Sequence, residues 1–325
     1  MTKVSSSPRC LIVGAGEMGR AHMAAVRDLP VSHLAVFGAS EANRGAVEQA
    51  GVSFHHGDLS RALQAVEPTH VIVAAPVERL VDTSVMVMAA GVRHLLIEKP
   101  GLMTRAQGRA LSEASNRADA DVSVGYNRRF YGSVRTARRL IAESGESVSS
   151  VQLEFTEWSH QIEALTNQSP ETKARWLLAN SMHVIDMAFL PVGLPDAANS
   201  FFGHKGSLAW HSAASAFTGA GFTEFGALFS CGANWDAPGR WGTEWLTSSN
   251  RYIFRPLEKL HLMRRGSVAI EEIPLDDDLD QRYKPGIFLQ TKAFLGDAGS
   301  RDLPRLGHAI ALLELSARMA GYDID

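Results

Sequence analysis

Cys10-Leu11-Ile12-Val13-Gly14-Ala15-Gly16-Glu17-Met18-Gly19 is a short apolar run that stops at a glycine and continues as GxGxxG. Such a run suits a strand buried on both faces of a parallel sheet. Residues 17–29 follow with Met18, Ala21, Ala25 and Val26 at helical spacing, and Pro30 ends the pattern. In this strand–turn–helix context Gly14 permits the tight turn and Gly16 lets the backbone approach a pyrophosphate. Gly19 lets the helix pack closely on the sheet. The free N–H groups at the helix start, around Glu17 and Met18, are the phosphate ligands such a loop provides.

Outward from this loop the same alternation repeats. Residues 33–37 are predicted as a strand, 42–50 as a helix closed by Gly51, and Asp58 as the cap of a helix through residue 66. Strands at 71–75, 94–97 and 122–124 are separated by helices at 81–90 and 104–117. Strands alternating with helices of this length pair in parallel through right-handed crossovers. The expectation is a doubly wound α/β dinucleotide-binding domain over residues 1–125, with residues 126–325 forming a second domain.

Composition agrees. A chain of 325 residues has room for two domains, and 45% hydrophobic with 21% charged residues supports a core in each. With 32 Lys+Arg against 35 Asp+Glu and no long block of either sign, a nucleic-acid groove or a polybasic membrane surface is not expected. Two cysteines, Cys10 and Cys231, build neither a disulfide framework nor a multi-Cys metal site, which suits a reducing, cytoplasmic compartment. Residues 1–9 lack the apolar core of a signal peptide. No metal is expected, because His55-His56 are adjacent and no HExxH or Cys/His cluster occurs.

Cofactor choice is set after the second strand, where an NAD site usually places an acidic residue. Here Gly38-Ala39-Ser40 leaves room for a 2′-phosphate, with Ser40 and Arg44 as its ligands, so NADP is preferred. Glu41 keeps NAD open. Ala75-Pro76, at the carboxyl end of the third predicted strand, lines the same edge. Glu98-Lys99-Pro100 leaves the fourth at that edge, which puts Lys99 near the nicotinamide and suits it to proton transfer.

With these pieces in order, the chain resembles the glucose–fructose oxidoreductase / inositol dehydrogenase (Gfo/Idh/MocA) family. The matching motifs are Gly14 to Gly19, Ala75-Pro76, Glu98-Lys99-Pro100 and Gly125-Tyr126-Asn127-Arg128-Arg129-Phe130, and they cover the first 130 residues. Beyond them the match thins to Trp176, His183 with Asp186, and Lys284-Pro285-Gly286. The resemblance implies a Rossmann domain followed by an α/β domain with a large, open, mostly antiparallel sheet, through which subunits pair as a homodimer or homotetramer. It also implies hydride transfer between NADP or NAD and a secondary alcohol or ketone of a sugar, sugar derivative or cyclitol. The alternatives are a lyase or glycosidase that uses transient oxidation, and a cofactor-binding regulator without catalysis.

In the second half, alternation at residues 151–155 predicts a half-buried strand. Further strands are predicted within 222–235, 243–247, 251–255, 260–264 and 267–273. A single helix over about 173–190 would put Trp176, Ala179, His183 and Asp186 on one face. His183 is then the second catalytic candidate beside Lys99. The family has Asp four residues before this His; here that position is Ala179, followed by Asn180, which can orient a hydroxyl but cannot act as a base. Asp186 either orients His183 or serves packing. Tyr126, Asn127, Arg128, Trp158, Trp176, Asn180 and Tyr283 are the substrate candidates, because rings against sugar faces beside charged groups suit a carbohydrate pocket. Ordinary core and rim positions explain such aromatic–charge pairs almost as well. Helices are predicted at 287–295 and, capped by Asp302 with Pro304 in the first turn, at about 300–320. By the resemblance, the last of these packs back on the Rossmann domain.

Overall fold

The computed structural model describes residues 7–296 and 302–325. The chain forms two compact units. Met1–Tyr126 with Leu279–Ile310 make the first, and Asn127–Asp278 with Ala311–Asp325 the second.

The first unit runs β1 (Arg9–Val13), α1 (Glu17–Arg27), β2 (His33–Gly38), α2 (Arg44–Gln49), β3 (Ser53–His56) and α3 (Leu59–Val66). It continues with β4 (His70–Val73), α4 (Leu80–Ala89), β5 (His94–Glu98), α5 (Arg105–Ala118) and β6 (Asp121–Gly125). The six strands pair in parallel in the order β3-β2-β1-β4-β5-β6, so the chain winds outward in both directions from β1. The central strands are apolar because helices cover both faces, and Leu11, Ile12, Ile72 and Leu96 have no exposed surface. Local chemistry sets the helix starts. Asp58 accepts from Ser60 N at 2.8 Å, and Thr104 accepts from Gln107 N at 3.1 Å.

The second unit begins with a 3₁₀ turn (Asn127–Phe130), α6 (Gly132–Ser144), β7 (Ser150–Phe155), α7 (Ser159–Glu163) and α8 (Pro170–Ala174). A π-helical turn (Leu177–Ser181) then leads directly into α9 (Met182–Phe189). Seven strands follow: β8 (Pro195–Lys205), β9 (Ala216–Thr223), β10 (Leu228–Asn234), β11 (Trp241–Leu246), β12 (Asn250–Phe254), β13 (His261–Arg264) and β14 (Ile270–Glu272). Their sheet, β14-β13-β12-β11-β7-β10-β9-β8, is antiparallel at every pairing except β7 with β10. One face packs on α9, where Phe189 meets Phe229 edge-on at 5.5 Å and Trp245 Nε1 donates to Ala188 O at 3.0 Å. On the opposite face Phe201, Phe222 and Leu228 remain exposed.

The last helices are α10 (Asp278–Arg282), α11 (Ile287–Leu295) and α12 (Leu306–Ala320). Within the first unit Arg305 bridges to Ser123 and ion-pairs with Asp121, which brings the start of α12 to the β6 edge.

Several expectations need correction. Residues 53–56 form β3, although Ser-Phe-His-His carries no apolar run; pairing to β2 makes it a strand. The helix expected over 173–190 is three pieces, because the π turn inserts an extra residue into the register. β8 and α6 were not anticipated. The final helix starts at Leu306, so Pro304 precedes it rather than occupying its first turn.

Candidate functional site

The glycine loop stands at the carboxyl edge of the first sheet. Gly14 has φ +122°, and its N–H donates to Phe37 O at 2.8 Å. A Cβ on Gly14 would overlap Ala74 O, and one on Gly19 would overlap Gly14 O. These two glycines are therefore packing requirements. Gly16 is different: a Cβ there would meet nothing within 4 Å. It is the N-cap of α1, and no side chain caps the helix. An exposed, uncapped helix start with open space over its glycine fits the pyrophosphate of a dinucleotide.

Two residues that sequence reasoning did not single out brace this loop. Arg20 Nη1 donates to Ala15 O at 2.9 Å and to Asn43 Oδ1 at 3.0 Å, which ties the loop to the segment after β2. His22 is fully buried, with Nε2 2.7 Å from Glu98 Oε1 and Nδ1 2.9 Å from Thr291 Oγ1. The Glu98 carboxylate is therefore buried and engaged with the interior. Lys99, one residue on, is half-buried where β5 ends. Tyr126 is also interior, its hydroxyl donating to Pro100 O at 3.3 Å.

The remaining cofactor candidates lie along the same edge. Glu17 is exposed, and Lys284 Nζ at 2.7 Å holds its carboxyl below the usual carboxylate range. Met18 and Ala75 are half-buried, and Pro76 is exposed before a 3₁₀ turn. Ser40 is exposed at the end of β2. Arg44 is near it in sequence, but its guanidinium already meets Glu41 at 2.9 Å and Glu48 at 3.0 Å and lies over the Phe54 ring.

The second unit holds a cavity of about 310 Å³ whose wall includes Arg128, Glu157, Trp158, Trp176, Asn180, Arg240, Trp241 and Glu258. Four substrate candidates therefore share one wall: Arg128, Trp158, Trp176 and Asn180. The Arg128 guanidinium carbon is 4.7 Å from the Trp241 ring centroid, and that of Arg240 is 5.4 Å from Trp158. Burial pulls Arg128 below the ordinary arginine range, partly offset by Tyr131, Glu258 and Glu157. Glu157 is buried and accepts from Asn180 Nδ2 at 3.2 Å and Ser181 Oγ at 2.7 Å. Gln161, Ile162, Leu165 and Glu258 also line the cavity and carried no signal in sequence, since α7 and the β12–β13 connection meet there only after folding.

Other candidates are placed elsewhere. Asn127 is buried, and His183 is buried at the start of α9; neither belongs to the cavity wall. Arg129 grips both oxygens of Asp186, at 2.7 and 2.5 Å, and both side chains are buried. This ion pair ties the 3₁₀ turn to α9. Tyr283 belongs to the first unit, where its hydroxyl donates to the Asp28 carboxylate at the end of α1 and its ring stacks on Phe288. Among the described residues no group of His, Cys, Asp or Glu could hold a metal, and no helix is long and apolar enough to cross a membrane.

Comparison with known proteins places this geometry. Residues 8–126 match the GFO_IDH_MocA family model, described as an oxidoreductase family with an NAD-binding Rossmann fold. Over 131 residues the chain is 26% identical to scyllo-inositol 2-dehydrogenase (NADP(+)) of Bacillus subtilis, a match spanning 40% of this chain and 36% of that enzyme. UDP-N-acetylglucosamine 3-dehydrogenase from Acidithiobacillus ferrooxidans superposes with TM-score 0.73 at 15% identity, covering 97% of both chains. A levoglucosan dehydrogenase solved with NADH and levoglucosan gives TM-score 0.74 at 17% identity, covering 96% of both chains. At those identities the structures establish the fold that this chain shares with them.

Proposed function

We propose that the chain is a member of the Gfo/Idh/MocA oxidoreductases, whose family model its residues 8–126 match, and that it is an NAD(P)-dependent dehydrogenase or reductase. Its substrate is the secondary alcohol or ketone of a sugar, sugar derivative or cyclitol. The observation that carries this reading is the glycine loop, where Gly14 and Gly19 are locked by packing while Gly16 leaves a cradle open over an uncapped helix start. The inositol dehydrogenase relative and the levoglucosan complex lend the substrate class its support.

When bound, the nicotinamide accepts or returns a hydride. The protein's own work is binding, orientation and proton transfer. The start of α1 holds the phosphates. Ser40 and Arg44 would hold the 2′-phosphate of NADP. Lys99 Nζ takes the proton of the substrate hydroxyl in oxidation and returns it in reduction, with His183 as the second candidate for that step. Trp158, Trp176, Asn180 and Arg128 hold the sugar. Subunits pair as a dimer or tetramer through the sheet face that exposes Phe201, Phe222 and Leu228. A cytoplasmic setting suits the two thiols, Cys10 and Cys231, which burial pushes up to about 12.

A catalytically silent cofactor binder is the second reading, favoured by the buried Ala179 in place of a carboxylate. Lys99→Ala separates the two. The enzyme reading expects turnover to fall by about 10² to 10⁴ while cofactor affinity stays within about twofold. Unchanged turnover removes Lys99 from the mechanism, and binding without turnover in the parent protein supports the silent reading.

A further inference from the structure

The cavity of the second unit has an uneven supply of hydrogen-bonding groups. Its wall carries two guanidiniums, and each is held by an indole face: Arg128 over Trp241 and Arg240 over Trp158. Among the described residues neither arginine enters an ion pair. Stacking fixes the plane of a guanidinium and leaves its N–H edge for an in-plane partner, the geometry that matches a carboxylate or phosphate bidentately. Two buried polar atoms of the wall lack a hydrogen-bond partner, Arg128 Nε and Trp176 Nε1, and both are donors. Trp176 is only 8% exposed.

The acceptors do not make up the difference. Glu157 already receives Asn180 and Ser181, and Glu258 is exposed on the rim. Glu157 and Glu258 offset part of the burial cost of Arg128 through space, but neither forms an ion pair with its guanidinium, and a ligand anion would complete it. Each hydroxyl of a neutral polyol can accept as well as donate but carries no charge, whereas an oxyanion brings charged acceptors in the planar arrangement that a guanidinium edge matches.

Building on the sugar-oxidoreductase reading, we infer that the cavity takes an anionic sugar, with its carboxylate or phosphate bound by Arg128 and Arg240 and its ring against the tryptophans. Arg128 is the fixed ligand because it is the more buried of the two, and Arg240 closes over the anion from the rim.

The test is ligand binding to the full-length protein by calorimetry, with no dependence on turnover. The probes are glucose, galactose and mannose, each beside its hexuronate and its 6-phosphate. The inference expects one of the anionic forms to bind at least about tenfold more tightly than its neutral parent, with the advantage shrinking as salt rises. Whether the uronate or the phosphate gains identifies the anion. Arg128→Gln removes the advantage and Arg128→Lys keeps part of it. Should the Arg128 variants fail to fold, Arg240→Gln at the exposed rim is expected to reduce the same advantage. Neutral sugars binding as tightly as their anionic forms would overturn the anion assignment and leave the sugar reading standing. Failure of every sugar to bind a protein that still binds NAD(P)H would overturn the sugar reading of the cavity, and this inference with it.

Discussion

His70 and His94 stack with ring centroids 4.5 Å apart where β4 and β5 begin, with Phe294 edge-on to His70 at 5.3 Å. Burial pulls His70 from 6.5 down to about 4, and the neighbouring imidazole adds to the effect. His94 is lowered as well, by burial and then by Arg305 and Arg93. Thr69 Oγ1 lies 2.9 Å from His70 Nδ1. The folded protein therefore keeps His70 neutral through a range in which the unfolded chain takes up a proton. Between pH 6.5 and about 4 the unfolded state binds more protons, so stability falls as the pH drops through that window. His70→Phe preserves the ring packing and removes the titration. Its Tm is expected to fall less steeply than that of the parent between pH 6.5 and 4.5, followed by calorimetry. Parallel profiles for the two proteins would show that His70 does not carry this dependence.

At the scale of the element, the β1–loop–α1 unit makes opposite demands on its glycines. Gly19→Ala drives a methyl group into Gly14 O and is expected to destabilise the fold by about 1–3 kcal/mol or more. Gly16→Ala meets no atom within 4 Å, so it should leave Tm nearly unchanged while weakening NAD(P)H binding by about tenfold. Thermal melts and cofactor titrations of the two variants check both halves; equal loss of stability would mean that Gly16 is only a turn residue. This unit was legible in sequence because its signals are local: an apolar run, three spaced glycines and a helical repeat, all within 20 residues. β3 was not, since Ser53, His55 and His56 become a strand only through pairing with β2. The π turn at Leu177–Ser181 was equally hidden, because a one-residue insertion leaves the apolar residues almost in helical phase. Glu98 and Asp186 show a related limit. Each sits in a motif that suggests ligand chemistry, and each is taken by a partner distant in sequence, His22 and Arg129.

At the scale of the whole molecule, the chain does not divide at one point. It leaves the first unit after Tyr126, builds the eight-stranded sheet, returns for Leu279–Ile310 and ends in the second unit. The return matters to the cofactor side. Thr291 on α11 completes the His22–Glu98 network, and Lys284 meets Glu17 at the start of α1. These residues lie more than 250 positions from the glycine loop, which is why the sequence motifs showed the loop without revealing what braces it. The cavity of the second unit is likewise assembled from residues between Arg128 and Glu258, so only its aromatic–charge pairs were visible beforehand. The central claim is that this is a nicotinamide-dependent protein, and the most direct measurement is calorimetric titration of the cofactor-stripped, folded chain with NADPH and, separately, with NADH. The account predicts saturable binding at one site per chain, tighter for NADPH through Ser40 and Arg44; no binding of either to folded protein would contradict it.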